Sequence, residues 1–344
     1  MSNDLILLEN TATQRLPISL AAQGFADQAR EYASHARSAS TRKAYGSDVR
    51  AFEAWCEANN ACAMPAGSAT VLAYLIDKAQ TLKVASLRRC LVAIREHHGA
   101  AGHVLDLTSP AFRDAWVGIQ RDHGQPADKK RPLLTAELRR AVAALPDTLA
   151  GRRDRALILV GFAAALRRSE LAALEVARCD GGGWIEETAD GLVVHLARTK
   201  TDQAGVGVDV GIPYGADPST CAVRVFRGWL KAAKLKTGPA FRAIDRNGRI
   251  RDGALSGQTV ARIVKRAVEA LALSEGASPK EAARRAAGYA GHSLRAGLAT
   301  SAAANDAPGH AIQRQLRHKK YDTTVGYIRA GQLFKGNAAS FAGL

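Results

Sequence analysis

Four short segments of the chain hold side chains able to act on a phosphate ester. Arg167-Arg168-Ser169-Glu170 follows an apolar run that ends at Leu166. A guanidinium beside so much apolar surface is costly to bury unless paired. Glu170, three residues on along a helix, shares its face and can fix its direction. Arg198-Thr199-Lys200 falls at the turn between two valine-rich runs, where a lysine is ordinarily just solvated. In His292-Ser293-Leu294-Arg295 the spacing of three sets His292 and Arg295 on one side of a helical turn, which suits two donors to one phosphate. The last segment runs from His318 to Tyr327 and offers an imidazole and, nine residues later, a phenol. A helix begun at Thr323 or Thr324 presents that phenol. Each segment alone has a plainer reading: an ion pair, a solvated turn, a chance H-x-x-R, a core tyrosine.

The elements that must position these groups can be read from periodicity and punctuation. Residues 1–25 are weakly patterned and read as a leader. Residues 26–123 read as a helical domain. Its first helix is expected over Arg42–Asn59, capped by Ser40-Thr41, with Tyr45, Val49, Phe52 and Trp55 at helical spacing. Further helices are expected at Thr70–Ala79, Val84–His98 and Ala111–Arg121. Residues 124–132, with two prolines, a glycine and Lys129-Lys130-Arg131, read as a linker. A second domain is expected over residues 133–344. There Thr135 is expected to cap a helix to Leu145, and Arg152–Val176 reads as one long helical stretch. Leu192–Thr199 and Val206–Pro213 read as a β-hairpin. Helices return at Cys221–Ala233, Ser256–Leu271 and Ser293–Asn305, then in short pieces.

Composition narrows the function classes. The 344 residues carry 48 Lys and Arg against 32 Asp and Glu, a net +16, which points to a polyanionic partner and first to nucleic acid. Cys56, Cys62, Cys90, Cys179 and Cys221 are odd in number and form no C-x-x-C pair. That fits reduced thiols in a cytoplasm and argues against a disulfide frame or a zinc site. The longest apolar run, Ala156 to Leu166, is far short of the roughly 20 residues that span a bilayer, so no membrane partner is expected. Met1-Ser2-Asn3-Asp4 lacks the positive region of a signal peptide. No cluster of carboxylates suited to Mg²⁺ is evident, so neither metal nor cofactor is expected.

The order Arg, hairpin Lys, H-x-x-R, His, Tyr, with a separation of 32 from Arg295 to Tyr327, resembles the tyrosine recombinase (phage integrase) family. The likeness runs from about Ala26 to the C-terminus, and Ser40–Tyr45 through Trp55-Cys56 looks like the opening of the family's core-binding domain. In layout the chain is similar to Cre, with two domains and a short tail after the tyrosine. The resemblance implies a mainly α fold: an N-terminal helical, SAM-like core-binding domain and a mostly helical catalytic domain with a small β-hairpin or sheet. It implies an active site of Arg167, Lys200, His292, Arg295, His318 and Tyr327, with Glu170 bracing Arg167. Two departures stand out. Arg317 occupies a position where the family often has glycine, and some relatives, Cre among them, carry tryptophan in place of His318.

By the same resemblance the chain cleaves and rejoins double-stranded DNA through a 3′-phosphotyrosine and a Holliday junction, as a homo-tetramer on two sites. Arg167 and Arg295 would grip the non-bridging oxygens, His292 and His318 would add hydrogen bonds, and Lys200 would protonate the leaving 5′ oxygen. Both domains are expected to close on the duplex. Lys43, Lys83, Arg88 and Arg89 are candidate contacts in the first domain. Gln258 is a candidate reader of adenine, with Arg262 and Lys265 on phosphates. The tail 328–344, with Leu333, Phe334 and Phe341, is expected to dock on a neighbouring protomer. Rival readings are a type IB topoisomerase and a non-catalytic architectural DNA-binding protein. Tyr321, only three residues after His318, is the less favoured nucleophile.

Overall fold

The computed structural model describes residues 25, 28, 31–32, 36–126, 130–179, 182–197, 207–335, 339 and 342. The chain divides into two compact units, Met1–Asp128 and Lys129–Leu344. Both are built mainly of helices, and the second holds a small sheet, which is the fold class expected.

The first unit contains α1 (Ala39–Ala58), α2 (Ser68–Ala79), α3 (Val84–Ala100) and α4 (Pro110–Asp122). α1 starts earlier than expected: Ser38, not Ser40-Thr41, is the cap, its Oγ accepting the Thr41 N–H at 3.2 Å. Phe52, Cys56, Val71, Tyr74, Leu75, Leu87, Ile94 and Phe112 form the core. The apolar stripe of α3 turns inward, leaving Arg88 and Arg89 outside.

The second unit opens with α5 (Thr135–Ala143) and α6 (Leu149–Ala163). Thr135 is not the cap expected of it. Leu134 holds the N-cap position without a side-chain bond, and the Thr135 N–H donates to Ser301 Oγ at 3.1 Å. The long helix expected over Arg152–Val176 is broken. α6 ends at Ala163, Ala165 turns left-handed at φ 49°, and the chain resumes as α7 (Arg168–Ala172) and β1 (Leu174–Glu175). The Leu166 N–H reaches back to Gly161 O at 3.1 Å, which closes the helix end. Side chains from far along the chain take the freed carbonyls: Gln315 bonds Ala163 O, Arg317 bonds Ala164 O, and Arg295 bonds Ala165 O. Cationic donors at a helix C-terminus also suit its dipole.

The four-stranded sheet has the order β1, β2 (Gly183–Thr188), β3 (Gly191–Leu196), β4 (Val208–Pro213). β1 and β2 run parallel and the other pairs antiparallel, with Val194 opposite Val210. Leu192, Val194, Leu196, Val210 and Ile212 point to the core, the period of two that marked the hairpin. The hairpin's strands stop short of the expected ends, and the connection at 198–206, with Lys200, lies outside the described residues. β2 has one buried apolar residue, Ile185, and went unread in the sequence. α8 (Ala222–Ala233) follows, then the β5 (Arg242–Ile244) and β6 (Ile250–Ala254) pair.

The remaining helices are α9 (Gly257–Ser274), α10 (Pro279–Ala287), α11 (His292–Ala304), α12 (Gly309–Leu316) and α13 (Tyr321–Gly331). α13 lies tightly on α11: a Cβ at Gly331 would come within 2.5 Å of Thr300 O. Of the tail, Leu333 and Phe334 are 63% and 87% exposed, and Phe341 lies outside the described residues.

Candidate active site

Six of the predicted active-site residues, all but Lys200, converge where the break after α6 meets the N-terminus of α11, the C-terminus of α12 and the face of α13. Arg295, on the first turn of α11, is only 2% exposed. Its Nη1 donates to Ala165 O at 2.8 Å and its Nη2 to Leu316 O. These carbonyls aim the guanidinium but carry no formal charge to balance it.

Arg167 is the N-cap of α7, not a residue inside a helix as its spacing suggested. Glu170 closes a capping box: Oε2 accepts the Arg167 N–H at 2.9 Å, and Oε1 accepts Arg167 Nη1 at 2.6 Å. The carboxylate therefore meets Arg167 as expected, through a cap and not through a shared helical face.

His292 opens α11, and its Nε2 lies 3.0 Å from Tyr327 Oη. His318 follows the left-handed Arg317, and its ring stacks on that of Tyr327 at 5.9 Å between centroids. His318 Nδ1 sits 3.0 Å from the hydroxyl of Thr324, which is fully buried. With that hydroxyl donating to Nδ1, Nε2 carries the hydrogen and becomes a donor. Tyr321 stands elsewhere, its hydroxyl lying against Gly309.

The electrostatics are one-sided. Arg167, Arg295 and Arg317 crowd together, and among the described residues Glu170 is the only carboxylate paired with any of them. Burial pulls the Arg295 guanidinium down to about 10, with Arg167 and Arg317 adding to the shift, and it stays cationic at neutral pH. Burial, with Arg295 and Arg167, holds His292 below its ordinary value; burial and the same two cations, joined by Arg317, bring His318 to about 4. Both imidazoles are thus neutral at pH 7. Burial raises the Tyr327 phenol, partly offset by Arg295, so the phenol keeps its proton. The arrangement is a neutral imidazole beside a protonated phenol, set in a positive pocket. It can deprotonate the phenol and hold an anion. Among the described residues, no three His, Cys, Asp or Glu side chains gather as a metal site requires.

The other candidates are scattered. Lys43 and Lys83 are exposed, and Arg88 donates to Gln120 Oε1 at 2.6 Å. Arg89 is bound in bidentate fashion by the buried Asp48, at 2.7 and 3.0 Å. Gln258 is exposed on the first turn of α9, Arg262 bonds Thr259 Oγ1, and Lys265 is half-buried. Sequence reasoning missed Arg317 as a member of the site, along with Thr324 and the carbonyls of the broken helix. Arg317 had shown itself only as a residue in a position usually held by glycine.

The profile of the phage integrase family matches residues 132–332. An "Integrase/recombinase xerD homolog" of Selenomonas ruminantium is 38% identical over 304 residues, covering 87% of this chain and 84% of the relative. The solved Tn1549 transposon integrase in complex with transposon right end DNA superposes with a TM-score of 0.57 at 14% identity, covering 89% of this chain and 93% of that one. A lambda integrase dimer bound to a COC′ core site gives 0.53 at 17% identity, covering 90% and 93%. These two share the fold with this chain.

Proposed function

Because the chain belongs to the phage integrase family of tyrosine site-specific recombinases, we propose that it cleaves duplex DNA with Tyr327 and rejoins it by reversing that step. The observation that carries this is the 3.0 Å contact of His292 Nε2 with Tyr327 Oη beside buried guanidiniums that outnumber their carboxylate. His292 takes the phenol proton as Tyr327 Oη forms its bond to phosphorus. The bond from phosphorus to the 5′ oxygen breaks, and Lys200 delivers a proton to that oxygen, leaving a 3′-phosphotyrosine and a 5′-hydroxyl. One phosphate ester replaces another, so resealing needs no ATP.

The pentavalent transition state carries more negative charge than the diester. Arg167, Arg295 and Nε2 of His318 oppose that charge, and losing one such donor costs about 10²–10³ in rate by analogy with other oxyanion sites. Attack by the 5′-hydroxyl of a partner strand, in two rounds through a Holliday junction, turns cleavage into recombination on a homo-tetramer. The exposed Leu333 and Phe334 support docking of the tail on a neighbouring protomer. Deleting residues 330–344 is then expected to reduce assembly while sparing single-site binding.

The test is a nicked suicide duplex, chosen from random DNA by binding to the wild type and incubated in EDTA. A covalent complex on a denaturing gel, absent from Tyr327→Phe, is the expected result. An adduct that survives this substitution would move the nucleophile elsewhere.

A further inference from the structure

Arg317 ends α12 at φ 54°, ψ 44°, a left-handed backbone in which glycine is unstrained and other residues are disfavoured. It nonetheless carries a long cationic side chain, 4% exposed. Nη2 donates to Glu170 Oε2 at 2.9 Å and to Ala165 O at 3.2 Å, and Nη1 to Ala164 O at 3.0 Å and Gln315 O at 3.5 Å. Two of these partners also serve another arginine of the site. Glu170 holds Arg167 by two bonds, and Ala165 O accepts from Arg295. On either side of Arg317 in sequence stand Leu316, whose carbonyl takes the other Arg295 nitrogen, and His318.

We propose that Arg317 is a positioning residue for DNA cleavage, tying the carboxylate that orients Arg167 to the bent backbone that orients Arg295. Two guanidiniums can grip one phosphate only if their separation and angle are fixed. Arg167 and Arg295 come from segments 128 residues apart, and a planar fork that bonds the anchors of both fixes their relation. A lysine, with a single point charge, would not reproduce that fork. A tie needed for stability alone gains nothing from being a third cation beside one carboxylate, because like charges oppose packing. The charge becomes favourable as further negative charge builds on the phosphate in the transition state. Burial also leaves Arg317 Nε without a hydrogen-bond partner among the described residues, so the side chain is held against a desolvation cost.

This inference rests on the phosphotyrosine reading above, and its test separates the two. Arg317→Gly suits the backbone, and Arg317→Gln, which keeps the Cβ and loses the fork, is read in the same way should the glycine variant unfold. Full-length proteins are compared on the selected suicide duplex for binding and for the single-turnover rate of adduct formation. We expect Kd within about twofold of the wild type and a rate lower by about 10–100-fold, by analogy with losing a group that orients a metal ligand. On a Glu170→Ala background the same substitution should slow the reaction by a smaller factor than it does alone, because part of the tie runs through that carboxylate. An unchanged rate, a rate loss matched by lost binding, or full multiplication with Glu170→Ala would overturn the proposal. Failure of the wild type to form an adduct on DNA it binds would instead remove the phosphotyrosine reading, and this inference with it.

Discussion

Replacing Glu170 by glutamine keeps the shape of the side chain and removes its charge. The carboxylate is 7% exposed and holds Arg317, at 4%, and Arg167, at 20%. Breaking a buried pair by removing one partner costs about 3–5 kcal/mol, because the other charge stays behind unbalanced. Water reaches part of Arg167, and the amide oxygen can still accept one bond, so the lower end, about 3 kcal/mol, is the figure to expect here. At about 2–4 °C per kcal/mol for a unit of this size, that lowers the melting temperature of the second unit by roughly 6–12 °C. Scanning calorimetry at low ionic strength, which can follow the two units separately, is the assay. Because the deficit is uncompensated positive charge, added sulfate should recover more stability in Glu170→Gln than in the wild type. A shift under about 2 °C, or an equal response to sulfate, would refute the claim that Glu170 balances buried cations.

Four further outcomes are expected. His292 lies below its ordinary 6.5 in the folded protein, and its protonation removes the acceptor for the phenol. The cleavage rate should therefore fall with decreasing pH at a midpoint below 6.5, and a pH–rate profile with a higher midpoint would contradict the assignment. Lys200→Ala should slow cleavage of an ordinary phosphodiester but not of a duplex with sulfur at the leaving 5′ position, since a thiolate leaves without a proton; equal slowing of both would exclude Lys200 as the acid. Gly297→Ala would set a Cβ 2.0 Å from Leu133 O. Overpacking of this kind costs about 1–3 kcal/mol, visible as a lower melting temperature and, two residues from Arg295, as slower cleavage. Finally, DNA affinity should fall by about 0.9 log unit per contacted phosphate for each tenfold rise in salt, measured by fluorescence anisotropy.

Much of the fold is written in local pattern. The helical spacing of Tyr45, Val49, Phe52 and Trp55 in α1 and the alternation of β3 and β4 both follow from side chains acting on their own neighbours. What stayed hidden depends on distant partners. Ala163-Ala164-Ala165-Leu166 has the composition of a good helix, and it stops because Arg295 and Arg317, 130 and 152 residues further on, bond the carbonyl oxygen of Ala165. β2 escaped notice because only Ile185 of its six residues is buried. In the site, H-x-x-R and the tyrosine stood out only through the family resemblance that the order of all the segments carries. Arg317 did not, since its meaning lies in a left-handed backbone and in a carboxylate 147 residues earlier.

The central claim is that the Tyr327 oxygen, activated by His292, forms the bond to DNA. Trapping the adduct on the suicide duplex, digesting protein and DNA, and locating the nucleotide by tandem mass spectrometry tests it most directly. The expected result is a phosphonucleotide on Tyr327 in the wild type, and much less of it in His292→Ala at neutral pH. A nucleotide found on Tyr321 or on any other residue would contradict the account.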